Sequence, residues 1–196
     1  MKSTKCLCVA LVLVSVFTFS CNRKKEPVKD NYTVAVYYFP NYHVDKRNEA
    51  YFEKGWTEWK LVKEATPRFE GHQQPKVPLW GYTDEADPQQ MAQKIDAASS
   101  NGIDAFIFDW YYYNDGIFLE RGLEEGFMKA ANNNLMKFSL MWANHDYIDI
   151  FPYTAGTERK LMYPGVITPE TWDKMTDYII EEYFKHSSYW LVDGAP

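Results

Sequence analysis

The chain has 196 residues, with 21 Lys+Arg against 27 Asp+Glu, 46% hydrophobic and 17% aromatic side chains. That apolar content excludes a disordered polymer and predicts a globular core. The net charge of −6 repels phosphate backbones, so nucleic acid is not an expected partner.

Lys2 and Lys5 precede an apolar run over residues 7–19, which is shorter than the roughly 20 residues that span a bilayer. A positive start, a short apolar run and a small residue, Ser20, read as an export signal over residues 1–20. Cys21 follows directly, as in bacterial lipoprotein signals, where the cysteine becomes the lipidated first residue; a plain secretory signal cleaved nearby is the alternative. Residues 21–31 are polar and charged and read as a tether, leaving 32–196 as the folded domain. The expected place is the bacterial cell envelope, with a lipid anchor through Cys21. The three cysteines are Cys6, Cys8 and Cys21, so the domain has neither a disulfide framework nor a cysteine metal site.

Residues 33–39 (TVAVYYF) are β-branched and aromatic, stop at Pro40 and predict a strand. Residues 41–86 contain few apolar runs and predict a long loop, a rim wall or lid beside a pocket. Asp87 with Pro88 at the first helical position opens a helix with Met91, Ile95 and Ala98 on one stripe, ending at Asn101-Gly102. A second strand is expected over 103–110, a helix over 117–131 with Leu119, Leu123, Phe127 and Ala130 inward, and a third strand over 137–142. Thr168 caps a helix over 169–185, and residues 189–192 read as a fourth strand. Alternating β and α elements predict a parallel sheet. Three and a half such units are half of an eightfold barrel of about 250 residues. The expected fold is therefore α/β, the N-terminal half of a (β/α)8 TIM-type barrel in a truncated chain.

In such a fold function sits where strands end. The three strand ends read YYFPNYH (37–43), DWYYYND (109–115) and WANHD (142–146). Aromatic rings beside amides, carboxylates and imidazoles suit sugars, whose C–H faces pack on rings while their hydroxyls need paired donors and acceptors. An oligo- or polysaccharide is the expected partner. Asp109 with Glu58 or Asp146 is a candidate carboxylate pair of the glycosidase kind. His43, His72 and His145 lack metal-ligand spacing, so no metal is expected. No Gly-rich phosphate loop is present either, and no organic cofactor is expected.

YYFPNYH, GWTEW (55–59), FEGHQQP (69–75), NGIDAFIFDWYYYN (101–114) and Trp142-Ala143-Asn144 resemble the WbsX-type proteins, relatives of glycoside hydrolase family 99. The resemblance spans residues 33–194. It implies a (β/α)8 barrel and endo-hydrolysis of α-mannosides; some relatives are labelled glycosyltransferases from their place in polysaccharide loci. It also implies catalytic carboxylates on a later strand and loop, beyond Pro196. One deprotonates the sugar 2-hydroxyl to give an anhydrosugar, and the other is the general acid/base. Tyr38, His43, Asp109, Trp110, Tyr111, Trp142, Asn144 and His145 then become pocket-floor and sugar contacts, with Glu58 and His72 from the long loop beside them. A non-catalytic carbohydrate-binding lipoprotein that keeps the aromatic cleft is the competing expectation.

Overall fold

The computed structural model describes residues 32–151 and 154–196. The leader 1–20, Cys21 and the tether 21–31 lie outside the described residues. Residues 33–196 form one compact unit.

Three strands run parallel: β1 (Ala35–Tyr38), β2 (Ala105–Tyr113) and β4 (Lys137–Trp142), with β2 in the middle. The register sets Tyr38 beside Phe108, and Asp109 and Trp110 beside Met141 and Trp142. Side chains alternate across a strand, so each strand splits into two sets. Val36, Tyr38, Phe106, Phe108, Trp110, Phe138, Leu140 and Trp142 turn to one side, where helices cover them. Tyr37, Ile107, Asp109, Ser139 and Met141 fall on the other, which is partly open.

The helix predicted after Asp87 is present as Pro88–Ser100 (α3). Asp87 accepts from the Gln89 and Gln90 amides, and Met91, Ile95 and Ala98 are buried. The third parallel strand agrees with expectation residue for residue. The helix after Thr168 runs from Pro169 to Tyr178 (α5) and widens into a π-helical stretch, Ile179–Phe184; Thr168 caps it through the Thr171 amide. Tyr183 is its most deeply buried residue.

Four expectations are corrected. First, β2 runs three residues past Trp110 because Tyr111, Tyr112 and Tyr113 continue the pleat. Second, the helix predicted over 117–131 begins later. Asn114 and Asp115 make a turn, and Gly116–Phe118 (β3) pairs back antiparallel on the three tyrosines. Leu119 then takes φ of 61° with its amide on Asp45 Oδ2 at 3.4 Å, which reverses the chain. Only Gly122–Phe127 (α4) is helical, again with π-type turns. Third, the 41–86 segment is not featureless: it holds Lys46–Tyr51 (α1), capped by Asp45, and Trp59–Glu64 (α2). Fourth, the predicted last strand is only a parallel bridge of Tyr189 to Phe138, after which Val192 and Ala195 close a small turn. A further hairpin, Tyr147–Ile148 (β5) with Leu161–Tyr163 (β6), stands after β4.

α4 packs directly under the segment that leads into α3. A Cβ on Gly126 would lie 1.9 Å from the Glu85 carbonyl oxygen, so only glycine allows this approach.

Candidate functional site

Because the three strands are parallel, their C-terminal ends emerge on one side. There Phe39, Asp109, Tyr111, His145, Tyr147 and Phe151 line a cleft of about 340 Å³. Its walls are aromatic. Tyr111 stands edge-on to Phe39, His145 and Tyr147, with ring centres 6.5, 6.2 and 5.8 Å away. Tyr111, Tyr113, Phe118, Leu119, Ala143 and Tyr147 form a second small core that fixes these rings above the sheet.

Asp109 projects from β2 on the open side. Its Oδ1 is buried and has no hydrogen-bond partner among the described residues, and the same holds for the Tyr147 hydroxyl. Burial raises the Asp109 carboxyl above its ordinary range, with His145 opposing. Burial also raises the Tyr111 and Tyr147 phenols, so both remain hydrogen-bond donors. A carboxylate acceptor and a phenol donor in one ring-framed lining are the mixture of groups that sugar hydroxyls and C–H faces can use.

The loop carrying His145 and Asp146 is held from behind. The Gly165 amide donates to Asp146 Oδ1 at 2.8 Å, and a Cβ on Gly165 would meet the His145 carbonyl carbon at 2.5 Å. His145 Nδ1 lies 2.8 Å from the Asp146 carbonyl oxygen. A carbonyl only accepts, so Nδ1 carries the proton and Nε2 is the acceptor in the neutral ring.

The ten residues singled out from the sequence fall in different parts of the structure. Asp109, Tyr111 and His145 line the cleft. Asn144 stands exposed at its rim, on a tight turn in which its amide donates to the Trp142 carbonyl. Glu58, at the start of α2, has a buried Oε2 without a partner among the described residues. Burial raises its carboxyl, and its charge adds to the upward shift of Tyr111 and Tyr147, which places it within electrostatic reach of the cleft.

Trp110, Trp142 and Tyr38 turn to the helix side of the sheet. Trp110 Nε1 donates to the Tyr183 hydroxyl at 3.0 Å, and Trp142 packs on Trp172 with ring centres 5.8 Å apart. His43 is fully buried beside Glu85, and His72 stacks on Phe69 in the long loop. His72 lines a separate cleft of about 660 Å³ that shares Ile150 and Phe151 with the first. The physical reason is the two-residue period: consecutive positions of one strand cannot face one ligand.

Two features were missed. Phe39 follows Tyr38 and, by alternation, is the one that reaches the cleft; the pleat itself was the signal. Glu85 is 2% exposed and gathers four groups. The Tyr38 hydroxyl donates to Oε1 at 2.5 Å and Lys94 Nζ at 2.9 Å; the Tyr42 amide donates to Oε2 at 2.9 Å, and His43 Nδ1 lies 3.9 Å from it. Burial pushes the Glu85 carboxyl up, but His43, Lys94 and Tyr38 outweigh it and hold it below the ordinary range. This cluster pins the loop after β1, and nothing in the local sequence around Glu85 marks it.

Comparison with known proteins adds two findings. Residues 34–196 match the family described as "Glycosyltransferase WbsX". Over 116 residues the chain is 34% identical to "Uncharacterized protein WxcX" of Xanthomonas campestris pv. campestris, in two strains. The matched stretch is 59% of this chain and 16% of the relative, so the chain spans only a small part of the length of the curated relatives it matches.

Proposed function

The chain belongs to the WbsX family, and from that membership we propose that it is the sugar-gripping part of a glycan-active protein of the family-99-like type, holding an α-linked, mannoside-like polysaccharide. The observation that carries this reading is the Asp109 cleft: an unpaired buried acceptor and an unpaired phenol set among aromatic rings at the C-terminal ends of parallel strands. The order of those strands supports the half-barrel part of the proposal. β1, β2, β4 and the Tyr189 bridge follow one another outward in chain order without reversal. A doubly wound sheet reverses direction at a switch point, whereas a barrel does not.

In this reading the groups of the cleft bind and orient. Phe39, Tyr111 and Phe151 pack on the sugar's C–H faces, Asp109 accepts from one hydroxyl, and Tyr147 donates to another. Hydrolysis would come from carboxylates outside these 196 residues, as the resemblance implies. Export and lipid attachment at Cys21 belong to the same proposal.

The test is incubation of the chain with α-mannan, followed by affinity electrophoresis and a reducing-end assay. Retardation without release of reducing ends is the expected result for these 196 residues; the carbohydrate-binding alternative gives the same retardation and differs in predicting no release by a longer chain that carries the remaining strands. Consumption of a nucleotide-sugar donor would support the transferase reading instead. No retardation by any α-linked polymer defeats the proposal. For Cys21, radiolabelled palmitate incorporated by the wild type and lost in Cys21→Ser is the expected result.

A further inference from the structure

We propose that Asp109 makes the cleft select sugar units without an anionic substituent, accepting neutral hexoses and rejecting their sulfated or carboxylated forms. This inference rests on reading the cleft as a glycan site and goes beyond it by naming which sugars enter.

Asp109 lines the cleft and its Oδ1 is buried without a partner among the described residues, so no hydrogen bond offsets the charge at that oxygen, and a ligand group set against the carboxylate must donate a proton. A hydroxyl does so; a carboxylate or sulfate oxygen offers only lone pairs and a like charge. Phe39, Tyr111 and Tyr147 share the lining with Asp109 and lower the local dielectric, so that repulsion is screened less than in open water. Two further carboxylates add to the same field: Asp146 in the lining and Glu58 with its own unpaired, buried oxygen.

The nearby cations are fewer than the carboxylates. Lys94 is committed to Glu85 and Tyr38 on the helix side of β1. His145 has Nδ1 tied to the Asp146 carbonyl. Arg159 is in the lining and has an interaction of its own, one positive charge against Asp109 and Asp146. Burial already raises the Asp109 carboxyl, the expected sign for a charge stripped of water, and a second negative charge beside it adds to that cost. Selectivity of this kind works by rejection: the unwanted ligand is left with an unpaired charge, while the wanted one completes a hydrogen bond.

The experiment uses the whole chain, with α-mannan and a neutral α-glucan as probes, each beside its own sulfated derivative, at 150 mM salt. Wild type is expected to retain a neutral polymer about tenfold or more tightly than its sulfated form, as for a buried acceptor that gains or loses one hydrogen bond. Asp109→Asn keeps the side-chain shape, removes the charge and supplies a donor. It should weaken neutral binding and bring the neutral and sulfated forms to within about threefold of each other. Asp109→Ser provides the same test if the amide variant fails to fold. Tighter or equal binding of the sulfated polymers by wild type overturns the inference and leaves the glycan reading standing, as does an unchanged preference in both folded variants. Retention of none of the four polymers overturns the glycan reading and this inference with it.

Discussion

The two faces of the parallel sheet are built from the same strands, yet they differ in composition and burial. On the helix side, Phe106, Phe108, Trp110 and Phe138 are buried, and Trp110 Nε1 and the Tyr183 hydroxyl are paired with each other, although Trp142 Nε1 is buried without a partner among the described residues. On the other side, Asp109 and Tyr147 are left with bare polar atoms, and Tyr37 is 71% exposed. Folding favours the first arrangement, because buried polar groups without partners cost free energy. A surface that keeps them has exchanged stability for the capacity to bind. Substitutions on the helix face should therefore lower stability, whereas substitutions on the open face should alter binding and barely touch stability.

The largest effects are expected on the helix face. Phe138→Ala opens a cavity among Phe108, Phe127, Tyr183 and Tyr189 and should cost about 3–5 kcal/mol, read by urea denaturation. Gly126→Ala drives a methyl group into the Glu85 carbonyl and should cost about 3 kcal/mol or leave the protein insoluble.

Glu85 comes next. Glu85→Ala leaves Lys94 without its carboxylate and should cost about 3 kcal/mol. The sign with pH follows from its lowered carboxyl. The stabilisation is complete above the ordinary value of 4.5 and is lost as pH falls through the lower folded-state value. Urea midpoints of the wild type should drop below pH 4.5, and Glu85→Gln should lack that part of the drop.

Gly165→Ala matches Gly126→Ala on the open face, since its methyl group also meets backbone. The approach is less close, 2.5 Å against 1.9 Å, and the His145–Asp146 loop is exposed, so about 1–2 kcal/mol is expected, with a larger proportional loss of glycan retention. Similar stability losses in the two glycine variants would erase the contrast between the faces.

The smallest effect has the opposite sign. Asp109→Asn removes a desolvated charge and should raise Tm by about 1–3 °C at neutral pH. Because its carboxyl is raised, the cost it removes is present at high pH and vanishes as pH falls into the carboxyl range. A fall in Tm at neutral pH would show that Asp109 stabilises the fold.

Much of this was legible in the chain. Lys137–Trp142 and the Asp87-Pro88 helix start were readable because strand composition and capping act within a few residues. The β3 hairpin was misread as helix because Leu119, Leu123, Phe127 and Ala130 mimic one stripe. Leu119 is in fact buried in a different cluster from the other three. The strand-end motifs pointed to the end of the sheet where the cleft lies but could not say which of Trp110 and Tyr111 faces it. That depends on which side the helices cover.

By itself the sequence determined the β/α order, the acidic and aromatic character, and a family grammar that the match over residues 34–196 bears out. These follow from local preferences and from residue types in a fixed order. The tertiary structure alone decided that Asp109 and Tyr147 share a cleft with Phe39. It also decided that Trp110 and Trp142 belong to the core, and that Glu85 draws Tyr38, Lys94, Tyr42 and His43 around one carboxylate. Those outcomes depend on contacts between residues tens of positions apart, and on which face of the sheet is dry; both are set only when the helices dock.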